Sequence, residues 1–220
     1  MNLLERQLSE GHMLAKLPQY KRKEQKAIRD IRQMFRVAPR SYLALSWGKQ
    51  SIIVAHMIFR IAVRVACVHW SNPNAERLAD FTATRDTFLS RFLLDYTEFP
   101  EGDTDLKGNG KRYMQQQGLT GVLMGLAAEE SNGRKYTLKQ GKETIMQYRD
   151  GTWRGCPLAD WIVPDLAAYI ATYNLPLLRP YRRYGLQVRT STGAKPGSHS
   201  ERGLDFLNST EKEDMQCILK

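Results

Sequence analysis

The stretch from Ser41 to His69 leaves few architectures open. A short apolar run, Ser41-Tyr-Leu-Ala-Leu45, breaks into the turn Ser46-Trp-Gly-Lys-Gln-Ser51. Ile52 to Phe59 follows, apolar on nearly every side, and Val63 to His69 then reads as a continuous β-branched run. A helix with no polar face must be buried, and a strand without alternation must be covered on both faces. The pattern predicts a strand–turn–helix–strand unit of a parallel sheet. Its turn suits an anion. Amides at a helix N-terminus carry partial positive charge, Gly48 permits close approach, and Lys49 adds a full charge. Phosphate is the best-fitting anion. The spacing is not the Walker pattern, because Leu43 stands where that pattern needs glycine.

The same alternation extends along the chain. Leu3, Leu4 and Leu8 mark a short amphipathic helix ending near Gly11, with a linker up to Pro18. A basic helix over about residues 23–36 is stopped by Pro39. Ser71-Asn-Pro-Asn74 predicts a turn and helix cap, and Leu78, Phe81, Phe88, Leu89 and Phe92 mark a long amphipathic helix. Leu93 to Phe99 reads as a third strand and Leu119 to Ala127 as a fourth. Between them, residues 100–118 are polar and Gly-rich and read as an excursion from the sheet. Tyr136 to Tyr148 suggests a hairpin, Pro164 and Asp165 start a helix, and Pro176 and Pro180 end that region. Residues 189–203 read as a surface loop. The expected fold is α/β: a three-layer sandwich with a mainly parallel, Rossmann-like central sheet. Ligands in that architecture sit at the carboxyl ends of strands.

Charge and cysteine usage narrow the partners. At 220 residues and 42% hydrophobic, the chain suits one domain with a sizeable core. Net charge is +10, and Lys21–Arg40 holds eight basic residues against the two acids Glu24 and Asp30. Such charge favours polyanions, either nucleotides, nucleic acid through this segment, or an acidic partner protein. It also suits a solvated helix face, since Ala27, Ile28, Ile31, Met34 and Phe35 form the opposite stripe. His56, Arg60 and Arg64 interrupt the longest apolar stretch, so no membrane association is expected. The start, Met1-Asn-Leu-Leu-Glu-Arg, lacks signal-peptide organisation, and a cytoplasmic location is the expectation. Cys67, Cys156 and Cys217 are far apart and form no Cys-x-x-Cys, so neither zinc nor an iron–sulfur cluster is expected. Cys67 reads as a small core residue.

The order Ser46-x-Gly48-Lys49-x-Ser51 resembles the pyrophosphate-binding loop (PP-loop) of the adenine nucleotide α-hydrolase superfamily, usually Ser-Gly-Gly-Lys-Asp-Ser. Trp47 replaces one glycine and Gln50 the aspartate. Three further segments follow in order: Cys67-Val-His69-Trp70-Ser-Asn-Pro, Met124-Gly125-Leu-Ala-Ala-Glu-Glu130-Ser131-Asn-Gly-Arg134, and Cys156-Pro-Leu-Ala-Asp-Trp161-Ile-Val-Pro-Asp165 with Leu175-Pro176 beyond. Over roughly residues 38–186 the set resembles the phosphoadenosine phosphosulfate (PAPS) reductase-like family of ATP pyrophosphatases.

The resemblance implies an adenosine nucleotide, ATP or PAPS-like, in the crevice. Ser46, Gly48, Lys49 and Ser51 would hold its phosphates, and His69 and Trp70 would meet base or ribose at a strand end. Gly125 lies in the fourth-strand segment, Glu130 and Ser131 would position that loop, and Arg134 would clamp a phosphate or sulfate. Lys49 and Arg134 are the catalytic candidates. Glu130 equally suits a cap or a salt bridge to Arg134, and Trp70 a packed aromatic. Trp161 and Asp165 are expected to tie their helix to the sheet. A Mg²⁺ ion is compatible with this chemistry, although no carboxylate cluster marks its place. The departures are Trp47, Gln50, Ala127 where the family often has Arg, and a Cys217 without the family's Glu-Cys-Gly-x-x-His surroundings. Basic N-terminal helices (1–37), a nucleotide-binding domain (38–186) and a C-terminal loop and tail (187–220) complete the expected organisation. Three readings follow: ATP pyrophosphatase or adenylyl transfer in sulfur transfer or nucleic-acid modification, sulfonucleotide reduction through Cys217, and a non-catalytic nucleotide- or nucleic-acid-binding subunit.

Overall fold

A computed structural model describes residues 1–71, 80–99 and 106–188. Most of the Ser71–Asn74 turn, Leu78, the 189–203 segment and Cys217 lie outside the described residues. The sheet has six strands in the order β3-β2-β1-β4-β6-β5: β1 (Ser41–Ala44), β2 (Ala66–Trp70), β3 (Asp95–Phe99), β4 (Gly121–Met124), β5 (Ile145–Gln147) and β6 (Trp153–Gly155). All neighbours are parallel except β5, which runs antiparallel to β6. This is the expected α/β fold with a mostly parallel, Rossmann-like sheet.

The chain builds β1, β2 and β3 outward on one side, then returns to lay β4 on the other side of β1. The segments leaving β1 and β4 therefore diverge at one sheet end. Such a switch point is where open α/β sheets open a crevice. Helix α3 (Lys49–Arg60) follows β1, and every residue from Lys49 to Ile58 is buried, as its all-round apolar sequence requires. The edge strand β3 carries Asp95 and Glu98, charges that discourage pairing with another chain.

Glycine and proline account for most departures from expectation. Helix α1 (Leu3–Leu14) does not stop at Gly11, and α2 runs over Pro18–Val37. Gly11 instead faces α7 (Val163–Tyr173), where an added Cβ would meet the Ala167 carbonyl carbon and the Ala168 nitrogen, both at 2.6 Å. Residues 106–116 are not an excursion but α5 (Leu106–Gln116), with Gly110 fitted beside the Tyr42 hydroxyl. The hairpin lies later than expected, at β5–β6, because Asn132–Thr137 forms the short α6. Pro180 opens α8 (Arg179–Tyr184) rather than ending a region. Helix α4 (Phe81–Arg91) buries Phe81 and Phe88 against Trp47, and Phe81 also meets His69 of β2.

Gly11→Ala is expected to destabilise by about 1–3 kcal/mol, because its clashing partners are backbone atoms that cannot rotate away. That outweighs the gain of roughly 1 kcal/mol from better helix propensity. Gly133→Ala in α6, where nothing lies within 4 Å, is the control and should be neutral or stabilising. Urea midpoints of the two variants check this.

Candidate functional site

The turn after β1 is built for close approach. Leu45 N–H donates to the Val68 carbonyl at 2.8 Å, holding the end of β1 against β2. Trp47 then takes a left-handed backbone, φ 58°, which lets the chain reverse into the extended Gly48 (φ −71°, ψ 158°) that caps α3. Lys49 is the first residue of that helix. Its first turn has no acid, so a lysine and the helix dipole add their positive potentials at one point. Ser51 Oγ donates to the Gly48 carbonyl at 3.0 Å, and Ser46 Oγ to Ser51 Oγ at 3.3 Å. Gly125, one residue beyond β4, presses on this turn from the other strand. A Cβ there would lie 2.3 Å from Ser51 N, so only glycine brings the two strand ends together.

The fourth-strand segment closes over Lys49. After a single 3₁₀ turn (Ala128–Glu130), Ser131 caps α6 by accepting from Arg134 N–H at 3.2 Å. Glu130 Oε1 lies 3.3 Å from Lys49 Nζ, and Oε2 pairs with the Arg134 guanidinium. One carboxylate thus bridges the two cations proposed as catalytic. The bridge to Arg134 is the salt bridge that the sequence offered as the plainer role for Glu130. Lys49 is 2% exposed.

Two residues that carried no sequence signal complete the enclosure. The Tyr181 hydroxyl accepts from Lys49 N–H at 3.2 Å, and its ring lies 5.5 Å beneath Lys49 Nζ. The Val188 carbonyl accepts from Lys49 Nζ at 3.0 Å. Oxygens of Glu130, Tyr181 and Val188 thus stand around Lys49. Ser46 is exposed, while Gln50 and Ser51 are buried. Gln50 Nε2 is a buried donor with no hydrogen-bond partner among the described residues.

His69 and Trp70 stand at the end of β2. His69 is buried and its Nδ1–H donates to the Leu45 carbonyl at 2.9 Å, bracing β2 against β1. Trp70 stacks on Phe99 and meets Tyr42 and Tyr113 edge-on, the packed role. Asp165 accepts from Ile162 N–H at 2.9 Å and from Lys23 Nζ at 2.5 Å, tying α7 to α2. Trp161 is buried against Tyr20 and Tyr169. Burial pushes the Cys67 thiol up to about 12 and Cys156 to about 11, so neither is a ready nucleophile. Among the described residues no cluster of three potential ligands could hold a metal ion, and Glu130 is already engaged by two cations. These residues do not form a metal site of their own.

No protein-family model matches the chain, and no curated protein matches it by sequence. Solved structures do. PAPS reductase from Candida auris, solved as a phosphate complex, superposes with TM-score 0.55 at 13% identity, covering 83% of this chain and 93% of that one. FMN adenylyltransferase from Candida glabrata, in complex with FMN and the ATP analogue AMPCPP, gives TM-score 0.60 at 11% identity, covering 81% and 67%. NMN synthetase from Francisella tularensis gives 0.50 at 14% identity, covering 86% of each chain. The fold is that of the adenine nucleotide α-hydrolases. At these identities the likeness shows the fold alone, and PAPS reductase is one of several proteins that share it. In an adenine nucleotide α-hydrolase fold the turn at Ser46–Ser51 and the segment Gly125–Arg134 flank the switch point between β1 and β4. No helix among the described residues is long and apolar enough to cross a membrane.

Proposed function

We propose that this chain binds an adenosine nucleotide, ATP or a PAPS-like compound, with its phosphates at the Ser46–Ser51 turn, and that it catalyses adenylyl transfer or α–β phosphoanhydride cleavage. The observation that carries the reading is the Lys49–Glu130–Arg134 bridge at the N-terminus of α3, whose first turn holds no acid. Two cations and a helix dipole converge where one carboxylate stands between them, and a phosphate would replace that carboxylate's oxygens. The unpartnered Gln50 amide supplies a further donor. In the step itself an acceptor oxygen attacks the α-phosphorus, the bond to the bridging oxygen breaks, and pyrophosphate leaves with the electron pair. Charge grows on the leaving oxygens, and Lys49, Arg134 and the turn's amides are placed to stabilise it. A Mg²⁺ ion would arrive with the nucleotide's phosphates rather than on a protein cage.

Sulfur transfer or nucleic-acid modification is the setting we propose. The cytoplasm is the compartment we propose, since it supplies ATP and favours reduced thiols, in keeping with the unpaired Cys67 and Cys156. A second reading, nucleotide binding without turnover, is favoured by the burial of Lys49 and Ser51. Pyrophosphate release separates the two.

Nucleotide phosphate must displace the oxygens now around Lys49. Tyr181→Phe removes one competitor and keeps the ring, and should tighten ATP binding about fivefold, the worth of one net hydrogen bond near 1 kcal/mol. Calorimetric titration of ATP into both proteins tests this. Absence of heat at millimolar ATP in both would overturn the proposal.

A further inference from the structure

We propose that the outward face of α2 docks the backbone of a nucleic-acid duplex. Every exposed residue between Lys21 and Val37 is Lys, Arg or Gln: Lys21, Arg22, Gln25, Arg29, Arg32, Gln33 and Arg36. At about 100° per residue they fall on a single arc of about 120°. No acid interrupts it.

The helix's own acids are spent elsewhere. Glu24 accepts from Arg60 and, at 2.8 Å, from the Tyr173 hydroxyl, while Asp30 pairs with Lys26 at 2.9 Å. Lys23 is held by Asp165. Among the described residues the five outward cations make no ion pair with a carboxylate. A face kept only for solubility normally mixes both signs, and this one has been cleared of one of them.

The remaining chemistry selects the partner. Tyr20, Ala27, Ile31 and Met34 bury the apolar side of α2 in the core, so the helix has no free apolar face to sink into a lipid surface. Four of the five cations are arginine, whose planar fork grips phosphate with two parallel hydrogen bonds. The face holds no aromatic side chain on which an unpaired base could stack, which favours a duplex over a single strand. From Arg22 to Arg36 the helix rises about 21 Å, a length over which a duplex presents about twelve phosphates. Gln25 and Gln33 add neutral donors to phosphate or sugar. Binding is therefore to backbone, without choice of sequence. It uses no residue of the β1–α3 turn.

The test compares wild type with the variant R22Q/R29Q/R32Q/R36Q by anisotropy of a labelled duplex of about 20 base pairs, over about 50–200 mM salt. The four substituted side chains are exposed and make no ion pair among the described residues, so the variant should keep its melting temperature and its ATP titration heat. The slope of log K against log salt should shrink by about 3.6, or 0.9 per lost phosphate contact. Affinity at low salt should fall at least about 30-fold. An unchanged slope, or no duplex binding by wild type, overturns the proposal. So does loss of binding to phosphatidylserine vesicles in the variant when neither protein binds duplex, which would assign the face to a membrane. Because ATP binding is read in the same samples, failure of this surface and failure of the nucleotide site are told apart.

Discussion

Pyrophosphate release from ATP is expected to fall about 10²- to 10³-fold in Lys49→Met, the loss that follows removal of one preorganised charge at a developing anion. Methionine is chosen because it keeps the aliphatic stem over the Tyr181 ring while deleting the ammonium. Glu130 then retains Arg134, so the fold should survive with a modest loss of stability rather than the about 3–5 kcal/mol of a fully stranded buried charge. The alternative deletion, Glu130→Gln, acts in the opposite direction on binding. It leaves Lys49 and Arg134 facing each other without their bridge and should raise the attraction for phosphate. Coupled-enzyme detection of pyrophosphate on wild type and Lys49→Met decides the matter. Equal release by both proteins would remove the turn from the mechanism.

The strand–turn–helix unit was legible because its physics is local and coarse. Strand β1 begins at Ser41 as its apolar run does, and the ten residues from Lys49 to Ile58 are buried because Ile52–Ile58 offers water so little that is polar. The order Lys49, Glu130, Arg134 was also readable, and the structure brings the three side chains together. Glycine misled. Gly11 suggested a helix end and the Gly-rich 100–118 stretch an excursion, both local readings, whereas the use of Gly11 and Gly110 is tertiary: without a Cβ, another backbone or a tyrosine hydroxyl can come close. Pro180 shows the same ambiguity, since proline stops one helix and starts another equally well. The enclosure of Lys49 could not be read at all. Tyr181 comes from 132 residues further along, and no periodicity encodes which hydroxyl a given amide will meet.

Trp47→Gly restores the glycine usual in such loops, and it should nonetheless lower stability by about 2–4 kcal/mol. Two effects oppose each other. A left-handed backbone strains a non-glycine residue by roughly 1 kcal/mol, and glycine relieves it. The indole, however, is 1% exposed and meets Phe81, Phe88 and Tyr96 edge-on, with its N–H donating to the Tyr96 hydroxyl at 3.4 Å. Deleting a buried aromatic of this size costs about 3–5 kcal/mol, so packing wins. For a chain of this length the midpoint should drop by roughly 5–15 °C. Trp47→Ala loses the same ring but keeps the strain, and should be less stable than the glycine variant by about 1 kcal/mol. That difference isolates the backbone term. An alanine variant at least as stable as the glycine one would show that the turn does not hold φ near 58° in solution, and with it would go the geometry on which the proposed phosphate site rests.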